Sequence, residues 1–504
     1  MMNYIIVQAG GRGTRLEYLT TNKPKALVPV NNLPMLFYLF RKYQNKHFII
    51  IADYKKEVMK EYLQVFADVK YRIVEAKGNG TCAGIKQAIH LLPEKEPFLL
   101  IWSDLLLPTD LKLPSGYEDD DYVNSMEDYI GISQSFPCRW SYFNGRFEEK
   151  ESYEHGVAGF FLFSDKEKIK EVPENGELVR WMQESKLKFR EIGLKGTKEF
   201  GLLEEYNRIE QNKCRPFNRI TIKPDRFIKE AVDKHGRKLA KREWEWYKKA
   251  GDMGITALPE IYGAAPLEME LIHGKNIYEY RLSYEEKKKV LKKLVETLEL
   301  LHSKEQVPAD LSACREVYLN KTFYRIDKIR NLVPFANEKY IVVNGKKCRN
   351  VFFYKKELEH LIEQIGCENF CFIHGDCTFS NLMLREDGNP VLIDPRGYFG
   401  AVKFYGDPRY DWAKLYYSIV GNYDRFNVKE FRLKIRERDV CLEIASSHWE
   451  DMESVFFEMT GAKPAEIKLL HALIWLSLTT YAWQDYDSVC GAFYNGLWYL
   501  EDIL

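Results

Sequence analysis

Residues 370–397 read FCFIHGDCTFSNLMLREDGNPVLIDPRG, and this stretch decides the fold of the second half of the chain. Phe370-Cys371-Phe372-Ile373 is an apolar, strand-like run that delivers His374-Gly375-Asp376 at its end. Asn381 stands five residues beyond Asp376, and a second short strand, Pro390–Ile393, presents Asp394. Phosphoryl transfer needs a carboxylate to orient or deprotonate the attacking hydroxyl. It also needs hard oxygen ligands to hold Mg2+ on the nucleotide phosphates. An Asp and an Asn on one loop, with an Asp on the neighbouring hairpin, supply that set. Cys367, Cys371, His374 and Cys377 also have spacings akin to a zinc site, whereas the phosphotransfer reading gives His374 a structural place in the loop.

The pattern His-Gly-Asp, four residues, Asn, then Ile-Asp resembles the choline kinase and aminoglycoside phosphotransferase superfamily. That resemblance implies a bilobal, protein-kinase-like α+β domain in which Asp376 is the catalytic base and Asn381 and Asp394 are Mg2+ ligands. It also implies ATP-binding residues upstream: Lys229 on the α/β-phosphates, Glu243 holding that lysine by an ion pair, and Glu270-Leu271-Ile272 as the hinge between lobes. Arg215-Pro216-Phe217-Asn218-Arg219 falls where a phosphate-covering loop belongs, without its glycines. For the acceptor, the candidates are Asp407 and Asp411 at a helix start, Arg396, and Trp475 and Trp483 from an aromatic run that continues to Tyr499. Such a run could cage a quaternary ammonium by cation–π contact. Arg396 stands where choline kinases often carry an acidic residue, and an arginine there suits a phosphate or an anionic acceptor instead.

The first two hundred residues follow another rule, with short apolar runs alternating with amphipathic segments. Tyr4–Gln8, Phe48–Ala52, Tyr71–Val74 and Phe98–Trp102 read as buried strands; Met35–Tyr43, Lys55–Phe66 and Gly84–Leu92 read as the helices between them. This predicts an α/β domain, a three-layer and mostly parallel sheet. Gln8-Ala9-Gly10-Gly11-Arg12-Gly13-Thr14-Arg15-Leu16 follows the first strand, and Lys23-Pro24-Lys25 comes shortly after. A glycine-rich turn lets backbone N–H groups approach phosphates, and a pyrophosphate-releasing reaction needs fixed cations on a triphosphate. Neither a Walker motif nor the Rossmann register is present.

This segment resembles the sugar-nucleotide pyrophosphorylases and phosphocholine cytidylyltransferases. The resemblance implies nucleotide binding by Gly10, Gly11, Gly13, Thr14, Gly80 and Thr81, and charge neutralisation by Arg15 and Lys25. It makes Asp104, after the strand, a Mg2+ ligand, and places Gly156–Phe161 beside the acceptor-phosphate pocket. Glu191 is the candidate second metal carboxylate, at a place where the family usually uses Asp.

The pattern changes near Asn212, which predicts a nucleotidyltransferase domain over 1–212 and a small-molecule kinase domain over 213–504. Asn218–Ile222 and Arg226–Ala231 read as strands, Lys238–Ala250 and Tyr284–His302 as helices. Lys+Arg and Asp+Glu both total 74, which speaks against a general nucleic-acid or anionic-membrane binder. Ten scattered cysteines, no leader-like segment and no apolar stretch of spanning length predict a cytoplasmic protein with reduced thiols and no stable membrane insertion.

Together the two resemblances imply a bifunctional enzyme with Mg2+ as cofactor. ATP would phosphorylate a small alcohol, and CTP or another NTP would convert the phosphomonoester to NDP–X, with X choline or a related amino alcohol. A sugar or polyol acceptor is the alternative, and a regulatory or scaffold protein with inactive sites is the alternative from another class. Oligomeric state is left open.

Overall fold

The computed structural model describes residues 1–118, 127–207 and 218–504. By packing, the chain divides into Met1–Asn212 with Gln484–Tyr486, and Lys213–Trp483 with Asp487–Leu504. The expected boundary at Asn212 and the Arg215–Phe217 part of the expected phosphate-covering loop lie outside the described residues.

In the first unit the apolar runs form strands because both faces are covered. β1 (Tyr4–Gln8) is flanked by β2 (His47–Ala52) and, on the other side, by a strand that ends at Trp102; Ile5, Ile6 and Val7 are fully buried. Helices α1 (Met35–Lys42), α2 (Lys56–Phe66) and α3 (Ile85–Ile89) alternate with β3 (Lys70–Glu75) and β4 (Phe98–Trp102). The order β4–β1–β2–β3 is parallel throughout, as expected from the alternation. β5 (Leu105–Leu106) follows at once, then β6 (Tyr129–Ser133) and β7 (Gly156–Phe163), which runs antiparallel to β4 and β6. β8 (Arg190–Gly193) extends the sheet beyond β6, and β9 (Lys198–Glu199) pairs with β5.

Parallel pairing positions the site. Gln8 lies opposite Trp102, so the glycine-rich loop after β1 and the Asp104 turn after β4 leave the same end of the sheet. Open α/β sheets bind ligands at that carboxyl end.

The second unit begins with β10 (Asn218–Ile222) and β11 (Arg226–Ala231), followed by α4 (Lys234–Asp252). The helix starts four residues before the expected Lys238, because the Asp233 side chain accepts from Gly236 N at 2.6 Å and caps it. β12 (Ile261–Ala264) and β13 (Leu267–Glu270) complete an antiparallel sheet in the order β10–β11–β13–β12. α5 (Tyr284–Ser303) opens on a Ser283/Glu286 capping box and buries a stripe from Val290 to Leu301. Further on come α6 (Lys321–Lys328), β14 (Asn369–Phe372), the hairpin β15 (Leu382–Arg385) and β16 (Pro390–Leu392), α7 (Pro408–Ile419) and α8 (Pro464–Leu478). Among the described residues no helix is long and apolar enough to cross a membrane.

Candidate active sites

At the carboxyl end of the first unit's sheet, Gly13 adopts φ 65°, so the chain can turn into the 3-10 segment Thr14–Thr20. A Cβ at Gly13 would press on the Lys25 stem, and Lys25 N bonds back to Gly11 O at 3.4 Å. The loop thereby fixes Lys25, whose ammonium pairs with Asp104 Oδ2. Gly11, Thr14 and Arg15 are exposed. Gly80, at φ 83°, lies so close to the Gly176 carbonyl that any side chain would collide with it. Thr81 Oγ1 accepts from Leu178 N at 2.8 Å. Gln8, which the motif reading passed over, donates its amide to Thr81 O and Ala83 O at 2.6 and 3.1 Å, tying this loop to the end of β1.

The second carboxylate is corrected. Glu191 is exposed on β8, opposite Ile130. β6 and β7 stand between its strand and β4, and three strand spacings amount to roughly 14 Å. Glu199 is the carboxylate that strand pairing brings opposite the chain neighbour of Asp104. It pairs with Leu105, the residue after Asp104, and Phe200 N bonds Asp104 O at 3.3 Å. Glu199 Oε1 and Arg15 Nη2 lie 3.0 and 3.4 Å from where a Cβ on Gly201 would stand, so the cation and the carboxylate share one corner. Burial, then Glu199 and more weakly Asp104, push the nearby Cys138 thiol up to about 12, offset in part by a hydrogen bond with Ser133. Asp104 Oδ1 is buried without a hydrogen-bond partner. A carboxylate oxygen left in that state, with Glu199 on the paired strand, fits a hard divalent cation such as Mg2+.

In the second unit, Lys229 on β11 bonds Glu243 of α4 at 2.8 Å and also pairs with Asp394. Burial works against the Lys229 charge, but Asp394 and Glu243 outweigh it and raise its pKa. Burial raises the Glu243 carboxyl to about 7, against the pull of Lys229. Asp394 takes φ 52°, a conformation costly for a residue with a side chain, and its N–H donates to Tyr247 Oη at 3.1 Å. Asn381 donates its amide to Asp376 O at 2.9 Å, which leaves its Oδ1 for a ligand. Asn381 and Asp394 thus offer the oxygen set that suits Mg2+. The Asp376 carboxylate pairs with Lys414 of α7 at 2.9 Å.

Several expectations change here. His374 is fully buried with both ring nitrogens engaged: Nδ1 accepts from Asp376 N at 3.2 Å and Nε2 faces Ile393 O at 3.0 Å. It has no lone pair for zinc, so the Cys367/Cys371/His374/Cys377 set is not a metal site. Glu270 is clamped by the Arg385 guanidinium, with one contact at 2.8 Å, so its side chain braces β13 against β15. Trp475 is fully buried, its indole N–H on His471 Nε2 at 3.0 Å, and is core rather than cage wall. Trp483 is only partly buried, just past α8.

Asp407 and Asp411 are corrected as acceptor contacts because both are fully buried. Asp407 caps α7 through Arg409 N at 3.0 Å and accepts from Tyr318 Oη at 3.0 Å. Asp411 accepts from His374 N and Gly375 N at 2.9 and 2.7 Å and faces His302 Nε2 at 3.1 Å. Burial alone would raise its carboxyl; His302, His374 and the backbone donor outweigh that and hold it below the usual range. Asp411 therefore shapes the loop that carries Asp376. Asp411→Ala leaves two buried N–H donors unpaired, and urea denaturation should show a loss of about 3 kcal/mol or more.

Around Asp376 the motif reading passed over Lys321, Arg325 and Lys414. Burial, then the charges of Arg396, Arg325 and Lys414, lower Lys321 to about 6, with Asp376 only partly offsetting them. From about pH 6 up to the ordinary lysine range, the unfolded chain holds a proton that folded Lys321 has shed, so stability rises with pH across that window. Lys321→Met should remove this slope, and urea midpoints of both proteins across the same window check it.

Residues 4–113 match the family model described as nucleotidyl transferase, and residues 239–432 match the one described as phosphotransferase enzyme family. Over 100 residues the chain is 33% identical to a D-glycero-alpha-D-manno-heptose 1-phosphate guanylyltransferase of Campylobacter jejuni, covering 19% of this chain and 45% of that protein. Over 134 residues it is 28% identical to a glucose-1-phosphate cytidylyltransferase of Salmonella typhimurium, covering 21% of this chain and 52% of that protein. The chain spans about half, or less, of the length of the curated relatives it matches. Among solved structures, the inositol-1-phosphate CTP transferase from T. maritima aligns over 42% of this chain and 96% of its own, at 17% identity and TM-score 0.34. The CTP:phosphocholine cytidylyltransferase from Streptococcus pneumoniae aligns over 42% and 99%, at 19% identity and TM-score 0.32.

Proposed function

We propose that this chain, which joins a nucleotidyl transferase domain to a phosphotransferase-family domain, makes a phosphomonoester in residues 213–504 and activates it in residues 1–212. ATP phosphorylates a small alcohol X–OH, and the product reacts with an NTP to give NDP–X and pyrophosphate. The observation that carries this reading is the presence in one chain of both residue groups, Asp376 with Asn381 and Asp394, and Lys25 with Asp104 and Glu199. The first makes the class of compound that the second consumes.

In the kinase step Asp376 takes the hydroxyl proton as the alcohol oxygen bonds the γ-phosphorus and the bond to ADP breaks, with Lys229 on the departing phosphates. In the transferase step a phosphomonoester oxygen bonds the α-phosphorus and pyrophosphate leaves against Arg15 and Lys25. Mg2+, held by Asn381 and Asp394 in one site and by Asp104 and Glu199 in the other, supplies charge neutralisation of the phosphates.

CTP is the preferred nucleotide in this reading, supported by the name of the Salmonella relative; the Campylobacter relative is named for guanylyl transfer, which makes GTP the comparison. A second reading makes X a sugar, and both relatives are named for sugar 1-phosphates. Activated compounds of this kind serve cell-surface glycan or lipid decoration. Incubating the full chain with ATP, CTP or GTP, Mg2+ and choline, ethanolamine, glycerol and common sugars should release ADP and pyrophosphate. Release of neither with any acceptor overturns the reading.

A further inference from the structure

We propose that the alcohol phosphorylated at Asp376 carries an anionic group of its own, a carboxylate or a phosphate, received by Lys321, Arg325, Arg396 and Lys414. This acceptor assignment rests on the kinase reading above and narrows it.

Three cationic side chains, Lys321, Arg396 and Lys414, are drawn to the Asp376 carboxylate, and the charges of Arg325 and Arg396 both bear on Lys321. Lys321 and Arg325 are four residues apart on α6 and so share a face. Arg325 is anchored to Ser477 of α8, with its second contact at 3.1 Å to Oγ. Arg396 follows Asp394 in the catalytic hairpin. Its N–H bonds His374 O at 2.9 Å, and its guanidinium reaches Tyr410 Oη at 3.2 Å. Lys414 pairs with Asp376 itself. Lys321 has no ion pair or side-chain hydrogen bond among the described residues, and the residue is half-buried. Buried cations are tolerated when paired, and here Asp376 pairs with Lys414 and only weakly offsets the charges around Lys321. The missing negative charge is the acceptor's.

Most of the cluster comes from elements other than the one that carries the nucleotide phosphates' own lysine. Lys229 reaches Asp394 from β11, whereas Lys321, Arg325 and Lys414 come from α6 and α7. Nor is the site a cage for a quaternary ammonium, since the protein's own cations already occupy its aromatic faces. Lys414 lies 5.9, 5.3 and 5.9 Å from the ring centres of Tyr410, Tyr417 and Tyr423. Arg242 and Arg396 lie 4.5 and 4.8 Å from that of Tyr398, and Arg325 lies 5.9 Å from that of Tyr481. A cationic acceptor would meet like charge wherever it sought a ring. The lowered pKa of Lys321 adds that an arriving anion restores its proton, so binding takes up a proton near neutral pH.

The test compares glycerol, glycerate, glycerol 3-phosphate and choline on the full chain, reading binding by calorimetry in buffers of different ionisation enthalpy and turnover as ADP. Glycerate or glycerol 3-phosphate should bind at least about 10-fold more tightly than glycerol or choline, with proton uptake. Which of the two leads tells carboxylate from phosphate. In Lys321→Met, and in the double variant with Arg325→Met, the preference and the proton uptake should collapse, and the kinetic loss should fall on the acceptor KM and not on the ATP KM. Tighter binding of choline or glycerol, no measurable anion binding, or an anion preference undiminished in the double variant overturns the proposal. Anion binding that follows the variants without any ADP release would instead count against the kinase reading and leave the anion site standing.

Discussion

Asp376→Asn is expected to cut ADP formation by about 100- to 10,000-fold, the usual range for losing a general base, while pyrophosphate release from supplied X–phosphate is unchanged. The reason is positional. Asp376 follows β14 on a loop whose two preceding N–H groups are held by Asp411, and its carbonyl is held by Asn381. Asn at 376 can keep that backbone geometry, so the loss reports proton transfer rather than collapse of the loop. It also removes the charge opposite Lys414, so the acceptor KM should move with kcat. Separate assays of ADP and pyrophosphate, the second with X–phosphate added, check this. Equal loss of both activities would mean that the two sites are one.

The mirror-image result is expected in the first unit. Asp104→Asn and Glu199→Gln should each lower pyrophosphate release by about 100-fold or more and raise the Mg2+ needed for half-maximal rate. ADP formation should be untouched. Lys25→Met should lose activity as well, because Lys25 reaches both Asp104 and the loop that turns at Gly13. Glu191→Gln is the control. Its exposed position on β8 predicts full activity. A loss in Glu191→Gln matching that in Glu199→Gln would undo the reassignment of the second carboxylate.

How much of this was legible depends on the range of the interactions concerned. β1 and β4 could be read residue for residue because they are continuous apolar runs buried on both faces. The order of Lys229, Glu243, Asp376, Asn381 and Asp394 was legible because each sits in or just after a recognisable element, and the structure brings Lys229, Glu243 and Asp394 into contact. Glu199 was not legible. Its strand is two residues long and exists by pairing with Leu105 and Leu106, more than ninety positions earlier, and no local periodicity announces such a pair. Glu191, in a longer strand-like run, drew the assignment instead.

The acceptor side failed for a related reason. Lys321 and Arg325 at helical spacing look like a solvated face, and only the packing of α6 near Ser477 and Asp376 turns them inward. Asp411 reads as an ordinary first-turn carboxylate until the His374-Gly375 amides are placed against it. Trp475 belonged to an aromatic run whose helical spacing is more often core than cage, and its burial is that of core. Arg396 was the one local sign of an anionic acceptor, since it interrupts the acidic pattern after Asp394.

The most direct test of two coupled steps is to follow the phosphorus. The full chain is given ATP labelled at the γ-phosphate, unlabelled CTP or GTP, Mg2+ and whichever acceptor supports ADP release, and the products are separated by mass. The label should appear in X–phosphate and then in NDP–X, on the phosphorus bonded to X, with the pyrophosphate unlabelled. Label that stops at X–phosphate with every nucleotide, or that passes to orthophosphate or pyrophosphate, would contradict the account.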